Sequence, residues 1–341
     1  MLELVKSLCT LYGTSGDEGR VADFIIDYIS KIDGVSFDVD ALGSVVVFKK
    51  GRNTPANKVM LDAHTDEVGL IINEITDEGF IKFATVGGIN ENVLIGRRVR
   101  VGGGLLPGVI GLKPVHLLSD DERKTLPKVK DMYIDIGAST RDEAAKFVSE
   151  GDFAYFDSDF VEFGEYKVKC RAIDDRYGCA LMLKLLSEEL EYDTWFSFSV
   201  QEEVGSRGAK VTAYNVAPDY AVVLEATTAA DIIDVEGAKR VCVQGDGPAV
   251  SFMDRGTVYS KELCRRAIDT ARAQGVPCQY KTLVAGGNNA AAVHKAGAGV
   301  KVLSVSIPCR YLHSAVSVAD KRDFEHAYAF VKAVLPMLYN D

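Results

Sequence analysis

The sequence predicts an α/β fold with a mixed sheet, interrupted by an inserted β-rich stretch. Three observations carry this reading. Helix-like and strand-like patterns alternate before residue 67 and again after about residue 169. From about Val68 to Glu165 the pattern changes to short β-like runs broken by glycine, as in Val86-Gly87-Gly88-Ile89 and Val101-Gly102-Gly103-Gly104, which reads as a small barrel or sandwich. Because α/β segments flank that stretch on both sides, it reads as an insertion, residues 68–165, into one discontinuous domain made of 1–67 and 166–341. At 341 residues the chain is long enough for two domains.

Taken in order, the first stretch reads as an amphipathic helix that Gly13-Thr14-Ser15-Gly16 breaks, and Ser15 or Asp17 is placed to start a second helix running to about Ile32. Strands follow at Ser44 to Lys49 and Lys58 to Asp62. The inserted stretch shows one good helical pattern, Arg141 to Val148. Beyond it, Asp174 to Leu190 reads as helix, Trp195 to Val200 as strand, Ser206 to Tyr214 as helix and Tyr220 to Leu224 as strand. Ser260 to Gln274 and Ala290 to Lys295 read as helices and Val300 to Ser306 as a strand. A final long helix is predicted from Val318 to about Leu335, ended by Pro336.

Composition narrows the function classes. Lys and Arg number 39 against 49 Asp and Glu, a formal net charge of −10, which disfavours nucleic acid or an anionic membrane as partner. No apolar run approaches the roughly 18 residues of a membrane span. Met1-Leu2-Glu3-Leu4-Val5-Lys6 carries acid where a secretory leader has a basic region. Seven scattered cysteines form no Cys-x-x-Cys pair and read as reduced, mostly buried thiols, so a cytoplasmic protein is expected.

Five short segments place His, Asp or Glu just past an apolar run or at a helix start. His64 and Asp66 follow Val59-Met60-Leu61, and an imidazole there suits a metal, with Asp66 as a carboxylate that orients the ring through its second nitrogen. Asp174-Asp175 stands at a helix start, where it reads first as a helix cap with a favourable charge near the helix dipole and is also placed to bridge two cations. Glu202-Glu203 follows the run Trp195 to Val200, so that one carboxylate is available to a metal and its neighbour to a proton. Glu225 follows Val222-Val223-Leu224, with Asp231 close behind as a substitute, and His313 lies shortly after Val300 to Ser306. The turn Ala285-Gly286-Gly287-Asn288-Asn289-Ala290 precedes a short helix and offers backbone N–H groups. Ligand sites in open α/β sheets cluster at the carboxyl ends of strands. Mixed nitrogen and oxygen ligands there suit zinc, cobalt or manganese, and two such ions with a free carboxylate beside them point to hydrolysis of an amide or similar bond.

The segments His64-Thr65-Asp66-Glu67-Val68-Gly69, Asp174-Asp175-Arg176-Tyr177-Gly178 and Gln201-Glu202-Glu203-Val204-Gly205-Ser206-Arg207-Gly208-Ala209 closely resemble the tetrahedral, dinuclear-metal aminopeptidases. Members are labelled glutamyl or deblocking aminopeptidases, some endoglucanase-like. Gly111-Leu112-Lys113-Pro114-Val115-His116 and Tyr133-Ile134-Asp135-Ile136-Gly137-Ala138 fit the same family, so the resemblance spans nearly the whole chain. It implies a zinc-peptidase-like catalytic domain with an inserted small β-barrel that mediates dimerisation, and dimers that assemble into a homo-dodecamer acting on short peptides. It also implies two divalent ions (Zn, Co or Mn) per subunit. His64 and Glu225 would hold one, Glu203 and His313 the other, and Asp174 would bridge them. Glu202 would be the general base acting on a hydroxide shared by the ions, Asp66 would support His64, and the Asp174–Asp175 peptide bond would be cis.

Two positions depart from the resembled pattern: Glu225, where aspartate is usual, and Asn289, where an acid is common. Both are expected to lie where substrate binds and to bear on which terminal residue is preferred. Glu225 leaves open a related metal-dependent deacylase or carboxypeptidase. A glycoside hydrolase follows only from labels given to members of the family; paired acids alone could suggest it, but two histidines at strand ends fit a metal site better. An inactive assembly subunit is the non-enzyme alternative, and the retained His64, Asp174, Glu202, Glu203 and His313 argue against it.

Overall fold

The computed structural model describes residues 1–340. Two cores organise it. One large mixed sheet of eleven strands runs, edge to edge, through Val35–Val39, Val45–Lys49, Thr194–Ser199, Val59–His64, Tyr220–Thr228, Lys301–Arg310, Ser317–Asp320, Lys167–Cys170 and Val161–Phe163, with Ala249–Val250 and Gln279–Tyr280 paired off this path. The four central strands, Thr194–Ser199 through Lys301–Arg310, are mutually parallel and almost wholly buried. Such strands need helices on both faces, which is why they read as continuous apolar runs. The second core is a closed six-stranded antiparallel barrel, built from Gly69–Ile75, Ile81–Val86, Met132–Asp135, Leu106–Leu112, Arg98–Val101 and Phe153–Phe156. Closure removes the edges that a small sheet would otherwise expose.

The parallel register decides where the functional groups land. Ser199 pairs with His64, and Val223 pairs with Asp62, so Glu225, two residues further on, stands level with His64. The carboxyl ends of neighbouring strands therefore carry His64, Glu225, the 201–203 segment and the approach to His313.

Several elements differ from expectation, each for a local physical reason. The second helix is Gly19–Ile29, and neither Ser15 nor Asp17 caps it. The Ser15 hydroxyl instead donates to Asp66 Oδ2 at 2.6 Å, and Asp17 takes the Tyr155 hydroxyl. An edge strand, Val35–Val39, escaped notice; the alternation Val35, Phe37, Val39 is its signal, but it lies largely exposed at the rim of the sheet. Arg141–Ala144 is a single helical turn rather than a helix to Val148. Tyr220–Thr228 runs on past Glu225, which makes that acid an interior strand residue. The final helix is Lys321–Tyr339, capped by the Asp320 side chain, and Val318 belongs to the strand Ser317–Asp320. Pro336 does not end that helix; it sits in its last turn, where only a few residues remain to be carried. The strand Val161–Phe163 pairs with Lys167–Cys170 in the large sheet, not with the barrel. All seven cysteines are buried free thiols. Among the described residues no helix is long and apolar enough to cross a membrane.

Candidate metal centre

Two groups of potential ligands converge at the carboxyl ends of the central strands, and they share one residue. His64, Asp174 and Glu225 offer atoms that all lie within 4.8 Å of one another, and so do Asp174, Glu203 and His313. The two oxygens of Asp174 divide between the groups. His64 Nε2 stands 3.4 Å from Asp174 Oδ1 and 3.7 Å from Glu225 Oε2. His313 Nε2 stands 3.9 Å from Asp174 Oδ2 and 3.3 Å from Glu203 Oε2. Two donors each about 2.1 Å from a tetrahedral ion are about 3.4 Å apart, so these separations suit a cation within each group better than a hydrogen bond.

The donor set fits divalent cations on a second ground. His64 Nε2 is buried with no hydrogen-bond partner, while Nδ1 donates to the Asp66 backbone carbonyl at 3.1 Å. That bond puts a proton on Nδ1, so in the neutral ring Nε2 is the nitrogen that faces the two carboxylates and is left for a cation. Burial pushes Glu225 up, and burial, followed by the Asp174 carboxylate, pushes Glu203 up. Acids crowded in this way hold their protons until a cation supplies the opposing charge.

Local backbone makes this convergence. The helix Ile173–Leu186 has non-helical torsions at Asp174 and Asp175, and the peptide bond between them is cis. No side chain caps this helix, so Asp174 is not spent on its N-terminus. Asp175, fully buried, folds back on the helix and accepts the Gly178 N–H at 3.2 Å. A Cβ at Gly178 would stand 2.4 Å from Asp175 Oδ2, so only glycine fits.

The contacts of Asp66 extend beyond the His64 ring. Its carboxylate lies 3.4 Å from His64 Nδ1, but it also accepts the backbone N–H groups of Glu202 at 2.9 Å and Glu203 at 3.0 Å and the Ser15 hydroxyl. One buried carboxylate thus ties the strand end of His64 to the turn that carries both glutamates. Glu203 points at His313, whereas Glu202 lines the adjoining cavity and takes a hydrogen bond from the Ser206 hydroxyl at 3.3 Å. Asp231, the substitute for Glu225, is committed elsewhere: it pairs with Arg310 at 2.7 Å and belongs to neither group.

Asn289 corrects an expectation. It does not line the cavity, whose wall there is Gly286, Gly287 and Asn288. Fully buried, it donates to Asp62 Oδ2 at 2.8 Å and to Ser199 Oγ at 2.9 Å beneath the site. Asn289→Asp is therefore expected to cost roughly 2 kcal/mol or more at neutral pH, because two carboxylates would share one dry site. Burial already raises Asp62. Acids with raised folded-state pKa values cost nothing below the unfolded value near ~4 and progressively more as pH climbs above it. Urea unfolding of the variant against wild type should show a small deficit at about pH 4.5 and a large one at about pH 8; equal deficits contradict the assignment.

The cavity beside the ligands measures about 330 Å³. Sequence reasoning missed Asp254 and Lys281 in its wall, because no motif marks them and only tertiary packing brings them there, whereas Asn288 was read only as part of a glycine-rich turn. It also missed Glu18, which accepts the Gln201 N–H at 3.1 Å and which burial pushes up to about 7. Glu67, buried against Arg171 and 3.7 Å from Arg176, was read only as part of a motif.

Comparison with known proteins gives the family. Residues 43–330 match the family model described as M42 glutamyl aminopeptidase. The chain is 30% identical to the glutamyl aminopeptidase of Lactococcus lactis over 99% of its own length and 96% of the relative's. It is 31% identical to the lysyl aminopeptidase of Pyrococcus furiosus, over 98% and 97%. The structure of the Pyrococcus horikoshii TET1 peptidase, described as assembling into a tetrahedron or a large octahedral shell, superposes with a TM-score of 0.85 at 34% identity, covering 98% of each chain. Peptidases of this family are metal-dependent, and the two ligand groups supply candidate residues for that dependence. The chain belongs to the M42 glutamyl aminopeptidase family and is an aminopeptidase, a hydrolase of peptide bonds.

Proposed function

We propose that this aminopeptidase removes N-terminal residues from short peptides with two divalent ions per chain, zinc, cobalt or manganese. His64 and Glu225 would hold one, Glu203 and His313 the other, and Asp174 both. The observation that carries this reading is the division of Asp174, with Oδ1 facing one histidine and Oδ2 the other. Bound there, the ions would polarise the scissile carbonyl and acidify a water molecule. Glu202, at the cavity wall, is the general base: it takes the proton from the attacking water and delivers it to the leaving amine. Asp66 holds the Glu202 backbone, and Ser206 holds its carboxylate.

The far side of the cavity bears on the N-terminal residue. Lys281 lines it, and its ammonium donates to the Ala285 carbonyl at 2.6 Å, which leaves two N–H donors. Asp254 lines it too, but its carboxylate is already occupied by the Gly256 and Thr257 N–H groups and the Tyr259 hydroxyl. An acidic side chain meets a free donor here, whereas a basic one meets a satisfied anion. Homo-oligomeric assembly, up to a dodecamer, is part of the proposal, with the inserted barrel region as the contact surface; Val115, Leu117 and Leu126 are exposed on the connection between its strands Leu106–Leu112 and Met132–Asp135. A cytosolic location fits seven buried free thiols.

One experiment tests the reading. Peptides with free acidic, basic and apolar N-termini, together with N-acylated amino acids and C-terminally varied peptides, are digested before and after chelation, by wild type and by Lys281→Met. Release of acidic N-terminal residues, lost with chelator, restored by metal and weakened about tenfold or more in Lys281→Met, is expected. Cleavage of acylated amino acids or C-terminal residues instead would overturn the polarity.

A further inference from the structure

We propose that the barrel is a working part of the site: the backbone carbonyl of Gly88, just past a barrel strand, positions His313. This rests on the two-ion reading above. His313 comes from the loop after Lys301–Arg310 of the large sheet, yet its Nδ1 lies 2.8 Å from Gly88 O, across 225 residues of sequence. A carbonyl only accepts, so Nδ1 carries a proton, and in the neutral ring Nε2 is the nitrogen left for a cation beside Glu203 and Asp174. His313 is 38% exposed, and its own loop does not bury it. The loop is fastened to the barrel instead. Ala315, 4% exposed, belongs to the barrel core, and Val316 packs against that same core.

The neighbouring Gly87 shows how closely barrel and site approach. It adopts φ +83°, and a Cβ there would stand 2.8 Å from Val68 Cγ1 and 3.3 Å from Glu203 Cβ. His64 is different. Its ring is held by Asp66, the residue two further along its own strand end, and by nothing in the barrel. The two ligand groups are therefore unequal. The one containing His64 is built by the large sheet and the helix Ile173–Leu186 and takes no hydrogen bond to its ring from the barrel, and the one containing His313 forms only while barrel and sheet stay docked. Loss of a partner that orients a metal-binding imidazole typically weakens the metal about 10–100-fold.

The test loosens that docking without touching a carboxylate. Ala315→Val overfills the contact, and Val316→Ala, a milder change, covers the case in which the first variant fails to fold. Stepwise zinc binding to the full chain is measured, with His313→Ala identifying the step that depends on this ring, and nitrogen-15 shifts of His313 report which ring nitrogen carries the proton. The variants are expected to weaken that step about tenfold or more, to leave the other within about twofold, and to lose the Nδ1-protonated ring. A folded variant that keeps both the ring state and the step overturns the proposal, as does equal weakening of both steps. If wild type binds a single ion, the two-ion reading falls, and the nitrogen shifts alone decide whether the barrel positions His313.

Discussion

Glu202→Gln is expected to lower kcat by about 10²–10⁴-fold while leaving the metal content of the purified protein unchanged. The change keeps the shape of the side chain and the hydrogen bond from Ser206 but removes the basic oxygen. Glu202 is in neither ligand group, so its loss leaves the cation donors intact. In the metal-free chain, burial pushes Glu202 up to about 7, with the Asp66 and Asp174 carboxylates raising it further and His64 opposing them. A base works deprotonated, so the wild-type rate should fall as pH drops through this group's pKa. Bound cations draw that limb lower. In Glu202→Gln the limb should vanish. Rate profiles across pH, with metal content measured on the same samples, check both parts; a variant with full turnover removes Glu202 from the mechanism.

Asp174→Asn should cost metal as well as rate. An amide offers one neutral oxygen in place of a carboxylate that faces both histidines. Activity is expected to fall by more than about 10³-fold, since several kcal/mol of charge stabilisation depends on the cations it would hold. Metal content should drop below that of wild type. Stability should move the other way in the stripped protein: the Asp174 charge raises Glu203 by repulsion, so its removal relieves crowding among buried acids. A melting temperature equal to or above stripped wild type, paired with lost activity and reduced metal, is the expected pattern. Lost activity with a lower melting temperature and full metal content would make Asp174 a structural residue.

Much of the candidate site was legible in the sequence because a ligand and its strand end are neighbours in the chain. His64 follows Val59-Met60-Leu61, and Glu203 and Glu225 stand in or just beyond apolar runs that can only be buried strands. Asp174 was less clear, since two acids at a helix start read first as a cap. The observed backbone there, non-helical and uncapped, is decided by what packs around it. Asp66 was visible as a partner of His64, but its grip on the Glu202 and Glu203 backbone was not, because 136 and 137 residues separate them.

Asn289 shows the opposite failure. As a departure beside a glycine-rich turn it reads as a residue that meets substrate, and the fold buries it against Asp62, 227 residues away. The barrel's reach into the site is of the same kind.

What the amino-acid order determined by itself is periodicity and local chemistry: which runs must be buried, where acids and imidazoles leave them, and which glycines turn the chain. Those depend on near neighbours and on water. What only the tertiary structure decided is which of those groups face one another. Strand register sets Glu225 level with His64, and the docked barrel brings Gly88 to His313. Such pairings arise from packing between distant segments, and the energy that selects them resides in buried contacts that no single stretch of sequence contains.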